Sequence, residues 1–142
     1  MVPATTEAPR CGRGAWRWLP PTLIAACVSL VGAAATWVVT TTDDSGPGSL
    51  REAVEMANGS PGADIVSFDA ALTGQTITLT SGELLVTDDL TIDGPSGGRV
   101  TVRRADVAAT PFRIFNIDDG SDTVISVGLR NLTISGGEVR SV

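Results

Sequence analysis

The chain has 142 residues, a formal charge of −6 and a hydrophobic fraction of 42% against only 4% aromatics, which leaves room for one domain whose core must come from Val, Ile, Leu and Ala. It contains no His and all ten basic residues are Arg, so Ser-His-Asp and Cys-His catalysis, His-based zinc sites and a Gly-Lys-Ser/Thr phosphate loop are excluded outright. The acidic balance argues against nucleic acid or an anionic lipid surface as the main partner.

The first element is an address. Arg10, Arg13 and Arg17 face a single acid, Glu7, and the run from Leu19 to Val39 carries no charge. A positive region followed by an apolar one is the pattern of a secretory signal, predicted over residues 1–35. Ala33 and Ala35 supply small side chains at the two recognition positions, so cleavage is predicted after Ala35. An uncleaved anchor over residues 19–39 is the alternative, weakened by Pro20-Pro21 and the Thr-rich run Thr36 to Thr42. A lipoprotein-type box, Ile24-Ala25-Ala26-Cys27, ranks third because the apolar run continues past Cys27. Cys11 and Cys27 both precede the cleavage point, leaving residues 36–142 without a thiol and with seven Arg against fifteen acids, a charge of −8. The expected location is secreted or cell-surface, touching membrane only through the N-terminal segment.

Beyond the signal, Trp37 to Thr42 reads as a first strand that ends at Asp43-Asp44-Ser45-Gly46-Pro47-Gly48. Ser49-Leu50-Arg51-Glu52 is a capping box: the Ser49 hydroxyl accepts from the Glu52 amide and the Glu52 carboxylate reaches back to Ser49. A short helix should follow, with Leu50, Ala53, Val54 and Ala57 on one stripe and Asn58-Gly59 and Pro61 as its stop. It reads as a lid over an apolar edge, a role preferred to any catalytic one for Arg51 or Glu52.

From Asp64 the chain becomes short alternating runs: Ile65 to Phe68, Thr76 to Leu79, Leu84 to Val86, Leu90 to Ile92, Val100 to Val102, Phe112 to Ile117, Val124 to Leu129 and Leu132 to Ile134. Gly, Asp, Ser, Asn or Pro separates them, as turns require. Ile92, Ile114 and Ile134 are spaced by 22 and 20 residues, and Leu90-Thr91-Ile92-Asp93-Gly94 is echoed by Leu132-Thr133-Ile134-Ser135-Gly136. That spacing predicts one coil of a β-solenoid, in which each coil pairs its backbone with its neighbours.

Thr41 to Val54, Pro61 to Phe68, Leu90 to Pro95 and Leu132 to Gly137 together resemble the N-terminal region of secreted bacterial proteins with the pectin-lyase-like fold. The first of these segments is similar to one named for the motif Cys-Ser-Leu-Arg-Glu-Ala, with Gly48 in place of its Cys. The resemblance covers nearly all of residues 36–137. It implies an all-β fold, a right-handed parallel β-helix with one short N-terminal capping helix, here about two to three coils. It also implies further coils, and sometimes a C-terminal anchor, in the parent proteins. Residues 36–142 are therefore expected to be a cap and first coils, truncated, with an open apolar end that favours edge-to-edge self-association and marginal stability alone.

The chemistry left to such a chain rests on carboxylates and Arg. Asp88, Asp89 and Asp93 surround one strand, and paired acids can protonate a glycosidic oxygen and activate water. As turn and coil-edge residues they need no such role, and that reading is preferred. Arg103-Arg104 could neutralise an acidic sugar, but neighbours on a strand point to opposite faces. Asp118-Asp119-Gly120-Ser121-Asp122 has the oxygen density for Ca²⁺, with Asp118, Asp119 and Asp122 as ligands, yet lacks the spacing of a known calcium loop. Asn131 is assigned to an Asn ladder at a coil corner. Asn58-Gly59-Ser60 and Asn131-Leu132-Thr133 are glycan acceptor patterns. No cofactor is expected beyond that calcium candidate. The functional expectation is a non-catalytic exported segment acting by display, adhesion or contact with polysaccharide or cell-surface glycan. The alternative is the N-terminal part of a polysaccharide lyase or glycoside hydrolase.

Overall fold

The computed structural model describes residues 32–106, 110–122 and 124–138. The described elements are β1 (Thr36–Val39), α1 (Leu50–Asn58), β2 (Asp64–Phe68), a 3-10 turn (Ala70–Leu72), β3 (Thr76–Leu79), β4 (Leu84–Val86), β5 (Leu90–Asp93), β6 (Val100–Arg104), β7 (Phe115–Ile117), β8 (Val127–Arg130) and β9 (Leu132–Ser135). They form three walls, β1-β2-β5-β8, β3-β6-β9 and β4-β7. Every pairing is parallel. The strands β2, β3 and β4 visit the three walls in turn, β5, β6 and β7 repeat the circuit, and β8 and β9 begin another. The fold is therefore a short parallel β-helix with one helix, as the alternating runs predict.

Alternation along each strand sends every second side chain inward, and the register stacks these into apolar columns. Trp37, Val66, Ile92 and Leu129 make one column in the first wall. Ile77, Val102 and Ile134 make another in the second, and Leu84 lies on Phe115 in the third. Val66, Ile77, Ile92 and Val102 are fully buried. These Val and Ile residues are stiff at χ1 and suit a narrow, pleated interior better than large rings would. In the last strand of each wall, inward Leu129, Ile134 and Ile117 remain exposed.

The coil period differs from the expected spacing of 20 to 22. One circuit takes 26 residues from Val66 to Ile92 and 37 from Ile92 to Leu129. In the second wall it takes 25 residues from Ile77 to Val102 and 32 from Val102 to Ile134. Ile92 and Ile134 sit in different walls, and Ile114 precedes β7, where its carbonyl accepts from Leu84 N at 2.9 Å. The two Leu-Thr-Ile runs are thus strands of adjacent walls. Backbone pairing sets the stack while the loops at its corners vary in length, so sequence spacing is a poor guide to which residues meet.

Three strands are shorter than their apolar runs. β1 ends at Val39 because the amides of Thr40 and Thr41 turn away to the Gly48 carbonyl, at 2.9 and 3.2 Å. The run from Phe112 pairs as a strand only from Phe115, and that from Val124 only from Val127. Val124 is 93% exposed.

Helix α1 begins as predicted, with the Ser49 Oγ accepting from Glu52 N at 3.2 Å. The return bond is different: the Glu52 carboxylate passes Ser49 and accepts from Gly48 N at 2.6 Å. Gly48 has φ +77, a conformation that glycine adopts without strain. Leu50, Ala53, Val54 and Ala57 are buried, and the helix packs on β1, β2 and β4, closing one end of the coil stack. Gly59 after it is not left-handed, with φ −92.

The last helical residue is tied down on both sides. Asn58 Nδ2 donates to Leu85 O at 2.8 Å, and its Oδ1 accepts from Thr87 N at 2.9 Å. Asn58→Ala is expected to lower stability by about 1–2 kcal/mol, because two backbone groups lose a partner. A shift of the urea midpoint at unchanged slope would register this. A slope change would mean that the helix detaches in the native state instead.

Candidate functional site

A heavily engaged polar group is Asp44, in the loop before α1. Its Oδ2 accepts from Thr80 N at 3.0 Å, Thr80 Oγ1 at 2.7 Å, Ser81 N at 2.8 Å and Ser81 Oγ at 2.7 Å. Its Oδ1 pairs with the Arg51 guanidinium at 2.9 Å. Burial favours the neutral acid, but the Ser81 and Thr80 hydroxyls, Arg51 and the Thr80 amide outweigh it and hold the carboxyl well below the usual range. Arg51 also donates to Gly82 O at 2.8 Å and Glu83 O at 3.0 Å. Loop, helix and the turn between β3 and β4 are thus one bonded unit. The residues carrying it are Asp44 and the Ser-Leu-Arg-Glu segment, and their chemistry is that of a clasp.

A depression of about 240 Å³ between α1 and β4 is lined partly by Arg51, Asn58 and Glu83. All three already hold other parts of the protein: Glu83 accepts from Asn116 Nδ2 at 2.9 Å and from Arg113 Nε at 3.2 Å. No set of three or more Cys, Asp or Glu positioned to hold a metal ion occurs among the described residues.

The candidate acids serve as acceptors at coil corners. Asp88 Oδ1 accepts from Asp89 N at 2.8 Å. Asp89 Oδ1 accepts from Ser126 N at 2.7 Å, joining its coil to the next. Asp93 Oδ1 accepts from Asn131 Nδ2 at 3.0 Å. Asn131 does occupy a corner, at φ +52, but no like residue stacks on it: Asp93 pairs with Arg130 in the register, which sets Gly94 opposite Asn131. The expected Asn ladder is therefore replaced by an Asn-to-Asp bond. Both glycan-acceptor amides, Asn58 and Asn131, are engaged in the folded chain.

Arg103 and Arg104 separate as strand geometry requires. Arg103 pairs with Asp106 at 2.5 Å, while Arg104 pairs with Glu138 at 3.2 Å and lies over the Phe112 ring. In the candidate calcium loop the acids close local turns, Asp118 Oδ1 accepting from Gly120 N at 2.9 Å and Asp119 Oδ1 from Ser121 N at 2.9 Å. Ala33 and Ala35 lie in the segment before β1, and the Ala35 carbonyl accepts from Ile65 N at 2.8 Å.

The reading of the sequence missed one surface. On the outer face of β3-β6-β9 the register aligns Thr76, Thr101 and Thr133 in one column and Thr78, Arg103 and Ser135 in the next. Neighbouring strands are about 4.8 Å apart, so the three Thr hydroxyls of the first column repeat at about that interval. The signal was present in the sequence as Thr76-Ile77-Thr78, Thr101-Val102-Arg103 and Thr133-Ile134-Ser135, an inward apolar residue flanked by polar ones. No family model matches the chain, and neither a curated protein nor a solved structure matches it. No helix among the described residues is long and apolar enough to cross a membrane.

Proposed function

We propose that this is an exported, non-catalytic β-helix segment that acts in the medium or at the cell surface by contacting glycan. In this reading it supplies the cap and first coils of a solenoid of the pectin-lyase-like kind. The observation that carries the proposal is the in-register column Thr76, Thr101, Thr133 beside Thr78, Arg103, Ser135. Regularly spaced hydroxyls on the outer face of a sheet suit the repeating hydroxyls of a polysaccharide, and polar surface of this kind binds without any reacting group. The candidate acids are engaged at coil corners, which favours binding over catalysis.

The test uses the full chain as its producing cell exports it, applied to gels cast with neutral or acidic polysaccharides. Retardation without turnover is expected, with Thr101→Glu weakening it at least ten-fold because Thr101 lies mid-column and a carboxylate there is both larger and charged. Turnover that disappears in Asp88→Asn or Asp93→Asn would overturn the proposal in favour of a polysaccharide-degrading enzyme.

A further inference from the structure

Strand β2 contains an acid where its alternation calls for an apolar residue. Asp64 shares a column with Leu90 and Val127 and is 1% exposed. Its Oδ1 accepts from the backbone N of Ala35 at 2.7 Å. Its Oδ2 is buried with no partner, and none of the ion pairs among the described residues includes Asp64. A buried carboxylate with one amide donor and no cation is an unfavourable arrangement. The donor it does have comes from a residue at the predicted edge of the signal segment.

We propose that export cleavage falls after Ala34, so that Ala35 becomes the first residue and its α-ammonium is held by the Asp64 carboxylate. The proposal rests on the reading of the N-terminal segment as a cleaved signal. An amide nitrogen offers one hydrogen, whereas an ammonium offers three and a full positive charge, enough to satisfy both oxygens of Asp64. Gly32 and Ala34 then stand at the two small-residue recognition positions.

The sequence alone does not separate this site from the one a residue later, where Ala33 and Ala35 occupy those positions. The fold does. Cleavage after Ala35 would remove both the donor to Asp64 Oδ1 and the carbonyl that accepts from Ile65 N, leaving a buried acid and a strand amide without partners. Gly32 runs close to the Pro61 carbonyl, but among the described residues no hydrogen bond to the stack comes from residues 32–34. Their removal takes no partner from the coils.

The experiment is to express the whole gene in a secreting bacterial host, isolate the exported product and read its N-terminus by sequential degradation and intact mass. A chain starting at Ala35 is expected. A product starting at Thr36 or elsewhere overturns the assignment while leaving export and cleavage standing; an uncut chain overturns the signal reading beneath it. The absence of Lys makes the α-amine the one amine in the product, so an acylating reagent reports on it directly. Labelling of the folded product is expected to be at least ten-fold slower than in urea, and Asp64→Asn should recover most of that rate. Equal rates in folded and unfolded wild-type protein would overturn the ammonium–Asp64 pairing even if the variant fails to fold.

Discussion

Gly94→Ala is expected to destabilise the fold by about 3 kcal/mol, the upper end of what an overpacked interior position costs. Gly94 follows β5 at the corner where the second coil turns, and its N–H donates to Arg130 O at 3.0 Å. A Cβ there would overlap the backbone carbonyl of Asn131 in the coil above. Backbone cannot swing aside as a side chain can, and this stretch is fixed twice over. Asn131 already holds φ +52, and its side chain donates to Asp93. Relief would therefore break the Gly94–Arg130 bond, the Asp93–Asn131 bond or both. Gly97→Ala in the same loop is the control, because a Cβ there meets only Thr73 Oγ1 at 3.7 Å, an ordinary contact. Urea denaturation of the two variants should separate them clearly. Equal midpoints would mean that the coils do not approach as closely at this corner as the structure has them.

Asp44→Asn should cost about 2 kcal/mol at neutral pH, since charge-assisted hydrogen bonds are worth more than neutral ones and the amide turns donors toward the Ser81 and Thr80 hydroxyls or Arg51. The dependence on pH distinguishes this from simple loss of packing. The folded-state carboxyl lies below its ordinary value of 3.8, so the unfolded chain takes up a proton first as acid is added. The contribution of Asp44 is fully present above 3.8 and falls as the pH drops below it toward the folded value. Wild-type protein should accordingly lose its advantage over Asp44→Asn only below 3.8. A constant difference between the two across that range would show that the clasp acts through shape and not through charge.

The clasp also explains why one short loop and helix can close the stack. Arg51 reads from sequence as part of a lid helix with no catalytic role, and the apolar stripe Leu50, Ala53, Val54, Ala57 is buried as that reading requires. The four acceptors of Arg51, the carboxylate and carbonyl of Asp44 and the carbonyls of Gly82 and Glu83, are brought together only when the turn after β3 lies beside the loop before α1. Asp44 has neighbours that look like any other Asp-rich turn, and nothing in Asp43-Asp44-Ser45 distinguishes the acid that binds Thr80 and Ser81 from the one beside it.

Local structure was determined by the sequence alone. Period-two alternation placed Thr76–Leu79 and Leu84–Val86 with the bounds the strands have, and Ser49 with Glu52 placed the start of the helix. These signals involve residues a few positions apart, whose geometry is set by the pleat and by the first helical turn. Tertiary structure decided which strands stack. Corner loops of unequal length put Ile92 on Val66 and Leu129 instead of near Ile114 or Ile134. It decided too that Asp64 is an inward-facing acid with one oxygen left without a partner, that Asp44 is a hub and that three Thr residues form a column. Each of those properties depends on contact between residues 25 or more positions apart, and contact of that range leaves no mark on the spacing of either partner.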